Sequence, residues 1–238
     1  MNRRIILSVF VLTFIINIIE SPFVMSQSVL SGSQGNKVAV IDSKSEAPLG
    51  ESENTVNYYP LKTGAEWTLE GVETTPTITN KILDTEMIED RAYSKIETSH
   101  VFNDDAQSAI IFERIEGSRV YRLNPPEKEE LLFDFSIGVN QKWKKTYDRV
   151  NKARIIRTGR VIDFDMTVNV PAGIFEKCIV YEITDTTIKT DEITYSVIYT
   201  YWLAPDIGIV KQSLYVTNGG VILDTWINNL TAYTNPEQ

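Results

Sequence analysis

Alternation at period two constrains this chain more than any other feature. In residues 162–170, Ile162, Phe164, Met166, Val168 and Val170 alternate with Asp163, Asp165, Thr167 and Asn169. In residues 193–203, Ile193, Tyr195, Val197, Tyr199, Tyr201 and Leu203 fall on one side, with Thr194, Ser196 and Thr200 opposite. Successive side chains of a strand point to opposite faces, so this spacing describes a sheet with one buried and one wet face. No stretch shows helical spacing. Residues 82–91 come nearest, and Thr85 with its β-rich surroundings favours a strand ending in a turn at Glu89-Asp90-Arg91. Asn218-Gly219-Gly220 lies between two apolar runs and marks a hairpin, because Asn and Gly accept positive φ. Glu116-Gly117-Ser118 and Asn103-Asp104-Asp105 mark similar reversals. The pattern predicts an all-β chain of roughly nine to eleven antiparallel strands in a meander. A sheet that long must twist and curl, as a strongly curved sheet, a half-open barrel or a closed one.

The ends of the chain have a different character. Met1-Asn2-Arg3-Arg4 is a basic start, residues 5–19 are an apolar run, and Glu20-Ser21-Pro22 ends it, with a cleavage site before Gln27. These are the parts of a secretory signal peptide over residues 1–26. Read as an uncleaved anchor, the run is too short: as a helix it spans about 22 Å, against a hydrocarbon core of about 30 Å. Residues 27–56 are polar and contain Gly and Ser, which predicts a flexible leader, and residues 235–238 form a polar tail. Between them, residues 57–234 read as one β-rich domain, and the 238-residue chain is long enough to bury one good core.

Charge and cysteine usage narrow the partners. Loss of two arginines and one glutamate with the signal peptide takes the net charge from −9 to −10. Nucleic-acid binding draws on clustered Lys and Arg, so no nucleic-acid partner is expected. The densest basic stretch, Lys142, Lys144, Lys145, Arg149, Lys152, Arg154, Arg157 and Arg160, lies in strand-like sequence and is read as a solvated sheet face, a contact for anions at most. Cys178 is the single cysteine, so no internal disulfide forms and the fold relies on its core. No cysteine follows the apolar run to take a lipid, which predicts a soluble mature chain without a membrane anchor.

Three phrases occur in order: Tyr58-Tyr59-Pro60-Leu61-Lys62-Thr63-Gly64-Ala65-Glu66-Trp67, then Val170-Pro171-Ala172-Gly173-Ile174-Phe175-Glu176-Lys177-Cys178, then Tyr201-Trp202-Leu203-Ala204-Pro205-Asp206-Ile207-Gly208-Ile209-Val210-Lys211. Together they resemble a broad group of exported bacterial proteins and lipoproteins, over most of residues 57–232. The resemblance implies a curved antiparallel sheet of the kind seen in periplasmic lipoprotein carriers and related half-barrels. It implies a fold and a compartment, and no catalytic residues. The chain departs from the lipoprotein members by lacking their lipid-attachment cysteine. There is also an internal echo: Leu61–Trp67 and Phe135–Trp143 each place a Gly turn just before a Trp at a strand start, hinting at two similar sheet halves.

Most catalytic chemistries find no support. With His100 and Cys178 as the single residues of their types, a zinc site has too few ligands, and neither metal nor cofactor is expected. Asn103-Asp104-Asp105 and Asp84-Glu86-Glu89-Asp90 lack the spacing of a calcium loop. No Gly-x-Ser-x-Gly elbow accompanies His100, and a Cys178–His100 pair would need contact across the fold. Asp163 and Asp165 project from one strand face, but Thr167 and Asn169 continue that face as an ordinary wet surface. The sequence around Cys178 reads as a corner between strands, with Pro171 ending one and Gly173 permitting the reversal, and with the thiol a small buried hydrophobe.

The aromatics Trp67, Trp143, Trp202, Trp226, Tyr195, Tyr199 and Tyr201 either line a ligand cavity or fill the interior of a curled sheet. The row Tyr195, Tyr199, Tyr201 is the first candidate for a cavity wall. The resulting expectation is an exported, soluble, non-enzymatic β-protein of the periplasm or extracellular space, binding or carrying an apolar small molecule or an envelope component. Two other readings stand beside it: a structural or interaction protein of the envelope or extracellular matrix, and a hydrolase using Asp163 and Asp165.

Overall fold

The computed structural model describes residues 57–72, 75–103, 105–123, 128–149, 153–189 and 192–236. The expected signal peptide and leader, residues 1–56, lie outside the described residues, as do Asp104 of one expected turn and Lys152 of the basic stretch. The alternating segments form strands β1 (Glu66–Gly71), β2 (Thr77–Ile88), β3 (Arg91–Phe102), β4 (Asp105–Glu116), β5 (Arg119–Leu123), β6 (Glu130–Asp134), β7 (Lys142–Asp148), β8 (Arg154–Val170), β9 (Gly173–Lys189), β10 (Glu192–Ala204), β11 (Gly208–Asn218) and β12 (Val221–Thr234). The sheet thus has 12 strands, more than the nine to eleven expected. Five-residue strands such as β5 and β6 are too short to display a period, so counting alternations underestimates them.

The strand order is β6-β5-β4-β3-β2-β1-β12-β11-β10-β9-β8-β7, antiparallel throughout. Every hydrogen-bonded pair is a sequence neighbour except β1 with β12. The sheet is therefore two meanders, β1–β6 and β7–β12, stitched together where the first strand of one meets the last strand of the other. The internal echo falls at the two starts: Trp67 is the second residue of β1 and Trp143 the second of β7. Reversals occur where Gly and Asn permit them, as at Gly219 (φ 57) and Gly220 (φ 82) between β11 and β12. At the β8–β9 corner Gly173 has φ 142, and a Cβ there would meet nothing, so backbone conformation alone demands glycine.

The sheet curls into a nearly closed barrel whose free edges, β6 and β7, share no ladder. Side chains bridge the gap instead. The Leu131 N–H donates to the Tyr147 hydroxyl at 3.0 Å, and Arg157 Nη1 donates to the Leu131 carbonyl at 3.4 Å. The Asp134 N–H donates to the Tyr181 hydroxyl at 3.1 Å, which in turn donates to the Asp134 carbonyl at 3.3 Å. Buried backbone groups need partners; at this seam tyrosines and an arginine supply them.

One end of the barrel is filled. Phe133 sits at the centre of an aromatic cluster, edge-on to Tyr181 at 5.1 Å and to Tyr201 at 5.3 Å, stacked on Phe135 at 5.5 Å and tilted against Tyr59 at 5.3 Å. Such pairs favour edge-to-face and offset geometry, adding to the area they bury. Val161, Ile179, Leu203, Val210 and Leu230 complete this floor, each fully buried.

Strand β8 departs from the expected alternation. Its register against β9 shifts between Val161 and Asp163, between Asp163 and Met166, and between Met166 and Val168, with Asp165 at φ 72. Each irregularity changes which side of the sheet the following residues occupy. Of the predicted inward row, Val168 and Val170 are buried while Phe164 and Met166 are exposed.

Candidate functional site

Beside the aromatic floor the barrel holds a cavity of about 180 Å³. Strand register explains its wall. Gly159, Ile183, Tyr199, Leu214 and Trp226 are successive partners across β8 to β12, one rung around that half of the barrel. Trp67, Asn80 and Thr98 are partners across β1 to β3, and Ile78 pairs with His100 one step further along. Ile183, Tyr199, Leu214, Trp226, Trp67, Asn80, Thr98, Ile78 and His100 all line the cavity, with Ile96 and Ile111 deepening the apolar part.

Two ion-paired groups enter this apolar space. On β4 and β5, Glu113 and Arg122 face each other in register; Arg122 Nη2 lies 2.6 Å and Nε 2.8 Å from Glu113 Oε1. The Tyr59 hydroxyl donates to Glu113 Oε2 at 2.8 Å, so both carboxylate oxygens are engaged. On β8 and β9, Arg157 grips its register partner Asp185 bidentately, Nε to Oδ1 and Nη2 to Oδ2, both at 2.7 Å. Glu130 joins this group, 3.1 Å from Arg157 Nη1 and 2.7 Å from Arg149 Nη1. The planar fork of arginine suits such paired contacts.

The electrostatics follow from enclosure. Burial opposes charge on Arg122 and Arg157, but Glu113 and Asp185 outweigh it and hold both guanidinium groups above their ordinary values. Burial pushes the Glu130 carboxyl up despite Arg157, and pushes His100 down, favouring neutral imidazole. Burial raises the Tyr201 hydroxyl to about 12 and Tyr199 further, so both phenols keep their protons at neutral pH.

The expected aromatic row divides. Tyr199 and Tyr201 line the cavity, their rings stacked at 6.0 Å, whereas Tyr195 packs beside Val197, Leu214 and Val216. Trp67 and Trp226 line the wall. Trp143 lies over Gly159, where a Cβ would collide with its indole, and donates from Nε1 to the Tyr181 hydroxyl at 2.6 Å. Trp202 carries the Lys211 ammonium 4.9 Å above its ring. Asp163 and Asp165 are exposed and do not border the cavity. Cys178 is fully buried, its Sγ–H donating to the Phe175 carbonyl at 3.4 Å, with burial raising the thiol to about 11. It does not reach the cavity wall that His100 joins, so the two form no pair there. Among the described residues no cluster of three or more His, Cys, Asp or Glu is placed to hold a metal.

The reading of the basic stretch as a solvated face is corrected for two of its members. Lys142, Lys144, Lys145 and Arg154 are exposed, but the Arg149 and Arg157 side chains retain only 8% and 10% of their accessible surface. Parity carries the missed signal. Arg157 sits between Ile155 and Val161 on the buried side of β8, Asp185 follows Tyr181 and Ile183 on β9, and Glu113 follows Ile111 on β4. A charge on an apolar parity has to find a partner inside.

No protein-family model matches the chain, and no curated protein matches it. Two solved structures share its fold. One is a candidate lipoprotein from Parabacteroides distasonis, 13% identical with a TM-score of 0.52. The other is a candidate exported protein with a YmcC-like fold from Bacteroides fragilis, 14% identical with a TM-score of 0.51. Each comparison covers 76% of this chain and 100% of the other. At these identities the likeness is one of architecture.

Proposed function

We propose that this chain is an exported, soluble, non-enzymatic binding module that carries a small, largely apolar molecule inside its barrel. The carrying observation is the cavity of about 180 Å³, whose wall is built by strands from both meanders. An engineered apolar cavity of about 150 Å³ accepts benzene, so the space suits a ligand of one ring or a short chain. Export is supported by the basic, apolar and polar order of the first residues and by the description of one fold neighbour as exported. Solubility is supported by exposed outward charges such as Lys81, Glu97, Asp105 and Lys144, which suit water and not a lipid-facing band. Native mass spectrometry of the mature chain, purified from the compartment into which it is secreted, tests the reading. A co-purifying small molecule released by organic solvent is expected; repeated recovery of the bare polypeptide mass, with no small apolar probe binding, contradicts it.

A second reading, contact with an envelope partner, draws on the tip of the β11–β12 hairpin. Val221, Ile222 and Leu223 are consecutive and exposed there at 64%, 60% and 42%. Exposed apolar residues in a contiguous group are a common feature of contact surfaces. Co-purification from native envelopes with an Ile222→Ser variant as control separates this role from that of a free carrier.

A further inference from the structure

The hydrogen-bonding capacity around the cavity is not fully used. Two carboxylates are spent: Glu113 accepts from Arg122 and Tyr59, and Asp185 accepts twice from Arg157, while Glu130, ion-paired with Arg149 and Arg157, keeps Oε2 without a hydrogen bond and is not among the residues that line the cavity. The Asn228 side-chain carbonyl faces the Gln212 amide at 3.5 Å. Donors remain. Arg122 uses Nε and Nη2 on one Glu113 oxygen, and among the described residues Nη1 has no partner. Its side chain keeps 29% of its accessible surface and lines the cavity. Tyr199, Tyr201 and Trp67 also line it; among the described residues neither tyrosine hydroxyl is engaged in a hydrogen bond, and the buried Trp67 Nε1 has no partner. Arg122 and Tyr201 are near enough to shift each other electrostatically.

We infer that the ligand is a small monocarboxylate, its apolar body against Ile183, Leu214 and Trp226 and its carboxylate received by Arg122 Nη1 and the Tyr201 hydroxyl. This rests on the carrier reading above and adds the chemistry of the ligand's polar end. The unused guanidinium donors of Arg122 call for a ligand that brings acceptors, and a carboxylate brings two oxygens and no donor. The hydrogen bonds it would accept from a guanidinium are charge-assisted, roughly twice as strong as neutral ones.

Calorimetric titration of the purified mature chain at pH 7 with benzoate, toluene and benzylamine tests the inference. Benzoate is expected to bind at least about tenfold more tightly than toluene or benzylamine, and to lose about tenfold or more in Arg122→Lys and in Tyr201→Phe. Tyr201→Phe keeps the ring and so the packing, which leaves the test intact if replacing Arg122 weakens the fold. Toluene binding as tightly as benzoate, or benzoate indifferent to both substitutions, overturns the monocarboxylate while leaving an apolar carrier standing. Tighter binding of benzylamine overturns it as well. No binding by any of the three removes the carrier reading, and the inference with it.

Discussion

The two free edges of the sheet solve one problem in opposite ways. Strand β6 has five residues, all buried, and side chains from β7, β8 and β9 engage its outer backbone groups. Strand β7 has seven residues, none fully buried, and shows Lys142, Lys144 and Lys145 to water. An unpaired edge is a template for another chain, and nature hides it or charges it; this barrel does one on each side of its seam. Ladder-paired strands must approach to about 4.8 Å. Tyrosine and arginine reach further than a backbone hydrogen bond, so the barrel closes around an interior that is not fully packed.

The hidden edge should be costly to disturb and the charged edge cheap. The largest effect is expected from Arg157→Met, which leaves Asp185 buried without its cation and Glu130 with Arg149 alone. Removing one partner of a buried ion group typically costs about 3–5 kcal/mol, readable as a fall in urea-unfolding free energy. A loss under about 1 kcal/mol would show that the seam is held by something else. Tyr181→Phe comes next, because that hydroxyl serves the Asp134 N–H, the Asp134 carbonyl and the Trp143 indole at once. A cost of about 1–3 kcal/mol is expected for the groups left unsatisfied, with faster hydrogen exchange at the Asp134 amide; unchanged exchange there would contradict the bridge.

Acid sharpens the same contrast. Burial pushes Asp134 up, but its bonds from Ser136 and Arg119 outweigh this and hold the carboxyl below its ordinary 3.8. A depressed folded value means stabilisation fully present above the ordinary value and lost as pH falls through the folded one. Thermal unfolding followed from pH 6 to pH 2 should therefore fall less steeply in Asp134→Asn than in the native chain; parallel curves would remove Asp134 from the seam's energetics. The smallest change in stability, within about 0.5 kcal/mol, is expected for Lys144→Val on the charged edge. Light scattering should nevertheless show more self-association in that variant than in the native chain, and an unaltered mass would mean that the lysine does not guard the edge.

Local rules made much of the barrel readable in advance. Period-two spacing, the Asn218-Gly219-Gly220 reversal and the Gly-then-Trp echo at the heads of β1 and β7 all depend on residues close together in the chain. The interior charges were harder to read, since Glu130 and Arg157 stand on strands near opposite ends of the sheet order and meet only because the sheet curls round on itself. Arg157 belonged to a run of basic residues that looks solvated until its parity with Ile155 and Val161 is weighed. Strand β8 misled for another reason: its bulges arise from pairing with β9, and no residue within 162–170 signals them alone. Of the cavity, the row containing Tyr199 and Tyr201 was visible from alternation, whereas Arg122, Glu113 and Tyr59 converge from strands and a segment that only register brings together.

The most direct test of a barrel closed by side chains around a binding space is an amide-resolved NMR titration of the mature chain with benzoate. Saturable shifts centred on Ile96, Arg122, Ile183, Tyr199, Tyr201 and Leu214, residues of the cavity wall, are predicted. Shifts confined to the outer faces of the strands, or none that saturate, would contradict the account.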